Sequence, residues 1–240
     1  GRAKYDEAHI PGAAFLDLIG DLSDPDSDLP FTNPPPDRLA DALAAAGVGD
    51  DCAVVVYAAT VPWATRLWWM LRNLGFDNAA VLDGGIAKWR AEGRPVSTEP
   101  HAHPPATLSA RADRGLFVDK ATVRARLDDA GTAVVNALSP AMHRGEAPAN
   151  YGRPGSIAGS RNVFFQALLD DDACDVFRAP DSLAASFREA GVGEDQDAIM
   201  YCGGGISATV DAFALHLLGR SARVYDGSMT EWANDPAMPM

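Results

Sequence analysis

The chain has 240 residues and a formal net charge of -13, with 47% hydrophobic and 22% charged residues, which is ordinary for a soluble globular protein of one large or two small domains. The acidic balance disfavours nucleic acid and anionic membranes as partners, and no apolar run approaches the ~18 residues that span a bilayer. The three cysteines are far apart and form no C-x-x-C pair, so neither a structural zinc site nor a disulfide-built secreted domain is expected, and a reducing, cytoplasmic compartment is favoured.

The first half of the chain predicts strands that alternate with helices. A polar, leucine-containing helix is predicted over 37–46, and it ends at Gly47 of a GVG sequence that is typical of a helix C-cap. A short apolar strand from Val54 follows, then a loop with Ala58 and a helix, and a second short strand ends at Asp83 before a helix with a tryptophan. Such alternation predicts a parallel sheet with helices on both faces.

A domain boundary is predicted near the middle of the chain. Residues 97–115 are rich in proline, serine, threonine and alanine, and they lack apolar periodicity. The predicted organisation is an N-terminal domain over 1–100, a linker over 101–115 and a C-terminal domain over 116–240.

The second half of the chain repeats the first at an offset of roughly 144 residues. The stretch VVVYAATVPWATRLWWML from Val54 aligns without a gap with AIMYCGGGISATVDAFAL from Ala198, VLDGGIAKW aligns with VYDGSMTEW, and AHIPGAA aligns with GSIAGSR. Three blocks in the same order, one domain length apart, indicate a tandem repeat. The second copy also has an early strand over 132–137, whose counterpart would precede Gly1, so the first strand of domain one is expected to be missing.

The clearest functional signal is the stretch CGGGIS that begins at Cys202, between a predicted strand and a predicted helix. At such a place backbone N–H groups and the helix dipole stabilise an anion. Glycines have no Cβ, so the N–H groups of the loop can surround one anionic atom. The residues expected to do so are Gly203, Gly204, Gly205, Ile206 and Ser207. The cysteine is therefore expected to be a nucleophilic thiolate, and the loop would hold a persulfide anion in the same way.

Other interpretations of this loop compete with a reactive cysteine. A buried cysteine beside a glycine-rich turn is commonly only structural, which is the interpretation given to Cys52 and Cys174. The stretch from Gly203 to Ala208 also fits the G-x-G-x-x-A pattern of a dinucleotide site, with Asp226 about twenty residues on. Too few residues follow for the remaining strands of that fold, however, and the first copy has no glycine here. A cysteine phosphatase would need an arginine where the chain has Ala208.

Together these motifs resemble the tandem-domain rhodanese family, the sulfurtransferases of the thiosulfate/3-mercaptopyruvate group. The resemblance rests on YDEAHIPGAAFLDL (5–18), ATRLWWMLRNLGF (64–76) and VLDGGIAKWRAEGRPV (81–96) in the first half, and on CGGGISA in the second. The family's first domain usually lacks a catalytic cysteine, and Ala58 occupies that position here. The resemblance implies two tandem rhodanese-like α/β domains, each a mainly parallel sheet flanked by helices on both faces.

The resemblance also implies a ping-pong reaction through a persulfide on Cys202. The thiolate attacks the sulfane sulfur of thiosulfate or 3-mercaptopyruvate, sulfite or pyruvate leaves, and the outer sulfur passes to cyanide or a thiol. The N–H groups of the loop would stabilise the developing charge, as in an oxyanion hole. No metal or organic cofactor is expected, and a thioredoxin-like reductant is an expected further partner.

Several positions depart from the family pattern. Both residues after Cys202 are glycine, where mercaptopyruvate enzymes carry a serine at the second position and thiosulfate enzymes often carry basic residues, so the loop indicates neither donor. Met142 lies where the family has an arginine, and Arg144 and Arg153 are the nearby candidates for binding the donor. Ser156 replaces the histidine of the second HIPG block.

His9 is the third candidate for substrate binding. It matches a family histidine that can face the cysteine across the domain interface in mercaptopyruvate enzymes, whereas the alternative is that it only fastens its own loop by a hydrogen bond. The departures above also support a second hypothesis for the whole chain, a catalytically weak or inactive rhodanese-fold binding or regulatory module. The preferred expectation is a sulfurtransferase.

Overall fold

The computed structural model describes residues 1–170 and 174–240, which form two compact units. The first unit comprises residues 1–114 together with 174–176, and the second comprises 115–170 and 177–240. Among the helices of these residues, none combines the length and the hydropathy that crossing a membrane requires.

The first unit is built around two parallel strands, in which Val55 lies opposite Ala80. In chain order its described elements are α1 (Arg2–Glu7), α2 (Pro36–Ala45), β1 (Val54–Val56), α3 (Val61–Leu74), β2 (Ala79–Val81) and α4 (Gly85–Ala91). The buried side chains of the unit come mainly from α2 and α3, whose apolar positions recur at helical spacing.

The second unit contains a five-stranded parallel sheet with the strand order β3-β9-β8-β4-β5. The elements from residue 117 onward are β3 (Phe117–Val118), α5 (Lys120–Arg126), β4 (Thr132–Asn136), α6 (Pro140–His143), β5 (Arg161–Asn162), a 3₁₀ helix (Phe165–Leu168), β6 (Leu169–Asp170), β7 (Val176–Phe177), α7 (Pro180–Glu189), β8 (Asp197–Tyr201), α8 (Ala208–Leu217), β9 (Ala222–Tyr225) and α9 (Ser228–Trp232). The predicted alternation of strands and helices around a parallel sheet is confirmed.

Strand β8 occupies the centre of that sheet, and all its residues after Asp197 are buried. A central parallel strand is covered on both faces, which explains why the sequence AIMY is an uninterrupted apolar run. Its last residue, Tyr201, lies opposite Asn136 of β4. The chain therefore emerges from β8 and β4 at the same edge of the sheet, the carboxyl edge, where ligands bind in open α/β sheets.

The tandem repeat predicted from the sequence is visible in matching hydrogen bonds. In the first unit the Tyr57 hydroxyl accepts the N–H of Ile10 at 3.0 Å, and in the second the Tyr201 hydroxyl accepts the N–H of Ile157 at 3.0 Å. Each tyrosine thereby ties the end of its strand to the HIPG-like block of its own unit.

The two GVG sequences end helices as predicted. Gly47 follows α2 with φ +91° and Gly191 follows α7 with φ +78°, a left-handed conformation that favours glycine. The N–H of Val48 then donates to the carbonyl of Leu43 at 3.0 Å, and the second copy makes the equivalent bond. This reversal sends the chain from each helix into the next strand.

Part of the segment predicted as a linker packs along the first unit. The N–H of Ala106 donates to the carbonyl of Ala44, and the N–H of Ala112 donates to the carbonyl of Leu74, both at 2.9 Å. At Gly47 the approach is so close that a Cβ would overlap the side chain of His103. The backbone polar groups of this segment thus find partners that its composition alone did not indicate.

Candidate active site

Cys202 lies directly after β8, at the carboxyl edge of the five-stranded sheet, and its exposed fraction is only 3%. Three glycines follow before α8, a ten-residue helix for which Ser207 is the N-cap residue. Gly205 has φ +79°, so the turn requires a residue without a Cβ at this position. The apolar strand, the glycine turn and the helix start thus place a buried thiol at a helix N-terminus.

The carbonyl groups of the loop are bound to α9, which fixes how the loop is oriented. The carbonyl of Cys202 accepts the N–H of Met229 at 3.1 Å. The carbonyl of Gly203 accepts both the N–H and the hydroxyl of Thr230, each at 2.8 Å. In a trans peptide the C=O and the following N–H point in opposite directions. The N–H groups of Gly203 and Gly204 therefore point away from α9.

Four N–H groups of the same loop have no hydrogen-bond acceptor in the part of the chain that the structure describes. Within the described residues, none of the hydrogen bonds involves the N–H of Gly203, Gly204, Ile206 or Ser207 as donor. Loop residues here are buried or partly buried, and a buried N–H without an acceptor is costly. The loop is thus supplied with donors for an anionic group.

Ser228 is a residue of this site that the sequence analysis missed. Its hydroxyl accepts the N–H of Cys202 at 3.1 Å and donates to the carbonyl of Tyr225 at 2.8 Å, and the residue is fully buried. Its φ of +48° is unusual for a residue other than glycine, and its counterpart in the first copy is Gly85, with φ +52°. The sequence feature that points to Ser228 is the difference between the two copies, which have DGG at 83–85 and DGS at 226–228.

A second missed feature is a chain of side chains behind the cysteine. His143 contacts the hydroxyl of Ser160 at 3.3 Å, and Ser160 contacts the hydroxyl of Tyr201 at 2.7 Å. Burial lowers the pKa of His143 and raises the pKa of Tyr201 to about 12. Both side chains are therefore neutral near neutral pH. His143 and Ser160 thus hold Tyr201, the residue before Cys202, without adding charge to the site.

The two arginines named as substrate-binding candidates have different surroundings. Arg144 is exposed, and its guanidinium forms a two-point ion pair with Glu146 at 2.9 and 2.7 Å. The guanidinium of Arg153 instead donates to the carbonyls of Ala233, Asp235 and Met238 at 2.7 to 3.0 Å, and so holds the C-terminal segment. Arg144 is thus the arginine whose head group can exchange partners, because an exposed ion pair is weak.

Two other positions from the sequence analysis also have defined contacts. Met142 packs against the buried cluster of the second unit that includes Tyr151, Tyr201 and Trp232. His9 is buried in the first unit, where its two ring nitrogens lie 2.8 Å from the carbonyl of Tyr5 and 2.9 Å from that of Glu99. These contacts match the interpretation in which the histidine fastens its own loop.

The corresponding loop of the first unit has no thiol at the position of Cys202. Ala58 occupies the position of the cysteine, and it lines a cavity of about 20 Å³ together with Thr60, Ala64, Gly85 and Cys174. That volume is close to the size of a single water molecule. Across the described parts of both units, no three His, Cys, Asp or Glu side chains are grouped in a way that could hold a metal ion.

Comparisons with known proteins identify what this arrangement is similar to. The family model for the rhodanese-like domain matches residues 1–92 and 120–235. A "Probable 3-mercaptopyruvate sulfurtransferase" of Pseudomonas aeruginosa is 36% identical over 100% of this chain and 86% of its own length. A "Thiosulfate sulfurtransferase" of Cricetulus griseus is 34% identical over 96% of this chain and 79% of its own length.

Solved structures show the same fold. The Tum1 protein from Saccharomyces cerevisiae matches with a TM-score of 0.84 and 23% identity, over 96% of this chain and 83% of its own. A variant of EanB in complex with ergothioneine matches with a TM-score of 0.88 and 24% identity over 99% of this chain. The present chain spans 61% of that EanB chain.

Ser228 provides a test of how the cysteine is positioned. Ser228→Ala leaves the buried N–H of Cys202 without its acceptor, which costs about 1–3 kcal/mol, and it retains the unfavourable φ. Ser228→Gly loses the same bond but relieves about 1 kcal/mol of backbone strain. We expect the free energy of unfolding in urea to fall in the order wild type, glycine variant, alanine variant.

Ser186→Ala is the matched control, because the Ser186 hydroxyl bonds only the carbonyl of Ser182 on an exposed part of α7. An alanine variant at 228 that unfolds at the same urea concentration as this control would contradict the assigned role.

Proposed function

Because the chain belongs to the rhodanese-like family and is a sulfurtransferase, we propose that Cys202 carries the transferred sulfur as a persulfide. The observation that supports this most directly is the position of Cys202, at the start of a loop whose first two carbonyls are bound to α9. The N–H groups of Gly203, Gly204, Ile206 and Ser207 in that loop have no acceptor among the described residues. An anion attached to the cysteine would accept hydrogen bonds from those N–H groups and would be stabilised by the positive end of the α8 dipole.

The proposed reaction has two steps that return the cysteine to its starting state. The Cys202 thiolate attacks the sulfane sulfur of the donor, a new S–S bond forms, and the old bond to that sulfur breaks with its electron pair leaving on sulfite or on the enolate of pyruvate. An acceptor thiol or cyanide then attacks the outer sulfur, and the pair of the breaking S–S bond returns to Cys202. No external oxidant or reductant is consumed when cyanide is the acceptor.

The low exposure of Cys202 contributes to the chemistry. At 3% exposure the sulfur is largely shielded from water, so hydrogen bonds from the loop act in an environment of low polarity, where they are stronger. The same shielding limits the hydrolysis of a reactive persulfide.

We further propose that the donor is a small anion and that Arg144 assists its binding. The segment that carries Arg144 leaves β4 at the same edge of the sheet as Cys202, because β4 and β8 are parallel neighbours. The relatives named above include both a mercaptopyruvate and a thiosulfate enzyme, and the side chains of the loop favour neither donor. We propose that Arg153 affects donor binding only indirectly, because its guanidinium holds the C-terminal segment through backbone carbonyls.

The alternative function, a binding or regulatory module of the same fold, is supported by two observations. Met142 is packed against the apolar cluster of the second unit, and Arg153 is committed to backbone carbonyls. Neither therefore supplies a free positive charge for the donor. A module of this kind would keep the loop but would turn over no small sulfur donor.

Mass spectrometry after incubation with thiosulfate or 3-mercaptopyruvate separates these functions. We expect one additional sulfur atom on Cys202 and formation of thiocyanate when cyanide is added, because the acceptor takes that sulfur. Cys202→Ser should lose both signals.

The matched controls are Cys52→Ser and Cys174→Ser, which replace the other free thiols and should behave as the wild type does. If neither donor yields an adduct or thiocyanate with the wild type, the persulfide mechanism is wrong and the binding module is favoured.

Arg144→Ala tests the proposed donor contact. An exposed ionic contact is worth about 1 kcal/mol, so we expect KM for the donor to rise about fivefold with little change in kcat. Arg144→Lys should restore part of the loss, because it keeps the charge but not the two-point geometry.

Arg126→Ala serves as the control for general loss of positive charge, since Arg126 is similarly exposed and pairs with Asp129. Equal effects of the two alanine variants on KM would exclude a specific contact between Arg144 and the donor.

A further inference from the structure

Tyr151 lies against the loop of Cys202 and is almost completely buried, with an exposed fraction of 4%. A Cβ placed on Gly203 would lie 3.5 Å from Cδ1 of the Tyr151 ring, which is ordinary van der Waals contact. The ring therefore forms a wall of the loop at the residue that follows the cysteine. Its hydroxyl has no hydrogen-bond partner among the described residues, the sulfur of Cys202 included.

This unsatisfied hydroxyl is an exception among the tyrosines of the chain. The hydroxyl of Tyr5 donates to the carbonyl of Ala13, and that of Tyr225 donates to Glu231. The remaining two, on Tyr57 and Tyr201, accept backbone N–H groups. A buried polar group without a partner is costly and uncommon in proteins, so the single exception, located beside the reactive loop, calls for a functional explanation.

The environment keeps this phenol protonated. Burial raises the pKa of Tyr151, and the negative charge that Cys202 can carry raises it further. Tyr151 is therefore a neutral hydrogen-bond donor near neutral pH.

The backbone of Tyr151 is anchored to the same element as the loop. The side-chain amide of Asn234 donates to the carbonyl of Tyr151 at 2.9 Å and to the carbonyl of Thr230 at 2.8 Å. Thr230 in turn holds the carbonyl of Gly203. The backbones of Tyr151 and Gly203 are thus held by one common support.

We propose that the hydroxyl of Tyr151 donates a hydrogen bond to the outer sulfur of the Cys202 persulfide and is a catalytic residue of sulfur transfer. The inference rests on the proposed function, because it requires a persulfide. The thiol sulfur itself is not bonded to the hydroxyl, but one further sulfur atom extends the group beyond the thiol. The bond forms with the outer sulfur as negative charge arrives there in the first step, and it is released when the acceptor removes that sulfur. No proton needs to be transferred.

The test compares Tyr151→Phe with Tyr57→Phe, a variant of the first unit, in the 240-residue chain. A hydrogen bond to a charged acceptor is expected to contribute about tenfold to the rate of persulfide formation from thiosulfate, so Tyr151→Phe should be slower by about that factor in a single turnover. The pH midpoint for the reaction of the isolated persulfide with cyanide should move upward, because the persulfide anion loses a donor. Tyr57→Phe should change neither quantity.

A measurement of stability separates this role from simple packing. Tyr151→Phe removes only an unsatisfied hydroxyl, so its free energy of unfolding should equal or exceed that of the wild type. Tyr57→Phe loses the bond from the N–H of Ile10 and should be less stable. Wild-type kinetics and an unchanged pH midpoint in Tyr151→Phe would overturn the inference while leaving the persulfide mechanism intact. Absence of any persulfide in the wild type would reject the proposed function and this inference with it.

Discussion

The three hydrogen bonds that tie the carbonyls of Cys202 and Gly203 to α9 determine which way the N–H groups of the loop point. Because each peptide is planar and trans, anchoring the carbonyl on one side turns the next N–H to the other side. The rest of the second unit supports this arrangement. The central position of β8 fixes where the cysteine emerges, Ser228 fixes its N–H, and Asn234 links the support of Gly203 to that of Tyr151. A site that must stabilise a transient anion gains from donors that are already in place.

The two copies of the fold show which features belong to the scaffold and which to the chemistry. Both copies have the tyrosine that binds the HIPG-like block and the glycine that ends the helix before the strand. Only the second copy has a cysteine directly after this strand, followed by a glycine-rich loop, and a serine with a strained φ that accepts the N–H of that cysteine. In the first copy Ala58 and Gly85 take the places of Cys202 and Ser228. The positive φ is therefore adopted by a glycine, without strain, in the copy that has no thiol to position. Strain of this kind at a functional position is consistent with a positioning role.

Much of the fold could be predicted from the sequence, because its signals are local. The apolar run of β8, the glycines after α2 and α7, and the alternation of strands and helices each depend on a few neighbouring residues. Cys202 could be singled out for the same reason. Tyr151 could not, because it approaches the loop only through the path of the chain between β4 and β5, which a single sequence does not specify. For Ser228 the difference between DGG and DGS marks the position, but only the structure shows that its hydroxyl accepts the N–H of Cys202. Arg144 and Arg153 could not be told apart either, since only the structure places carbonyl groups around Arg153.

A crystal structure of the protein after reaction with thiosulfate would test the central claim most directly. We predict one additional sulfur atom bonded to Cys202 and enclosed by the N–H groups of residues 203, 204, 206 and 207, with the carbonyls of Cys202 and Gly203 still bound to α9. An additional sulfur that points away from those N–H groups, or a structure in which those N–H groups bind other protein atoms, would contradict this arrangement.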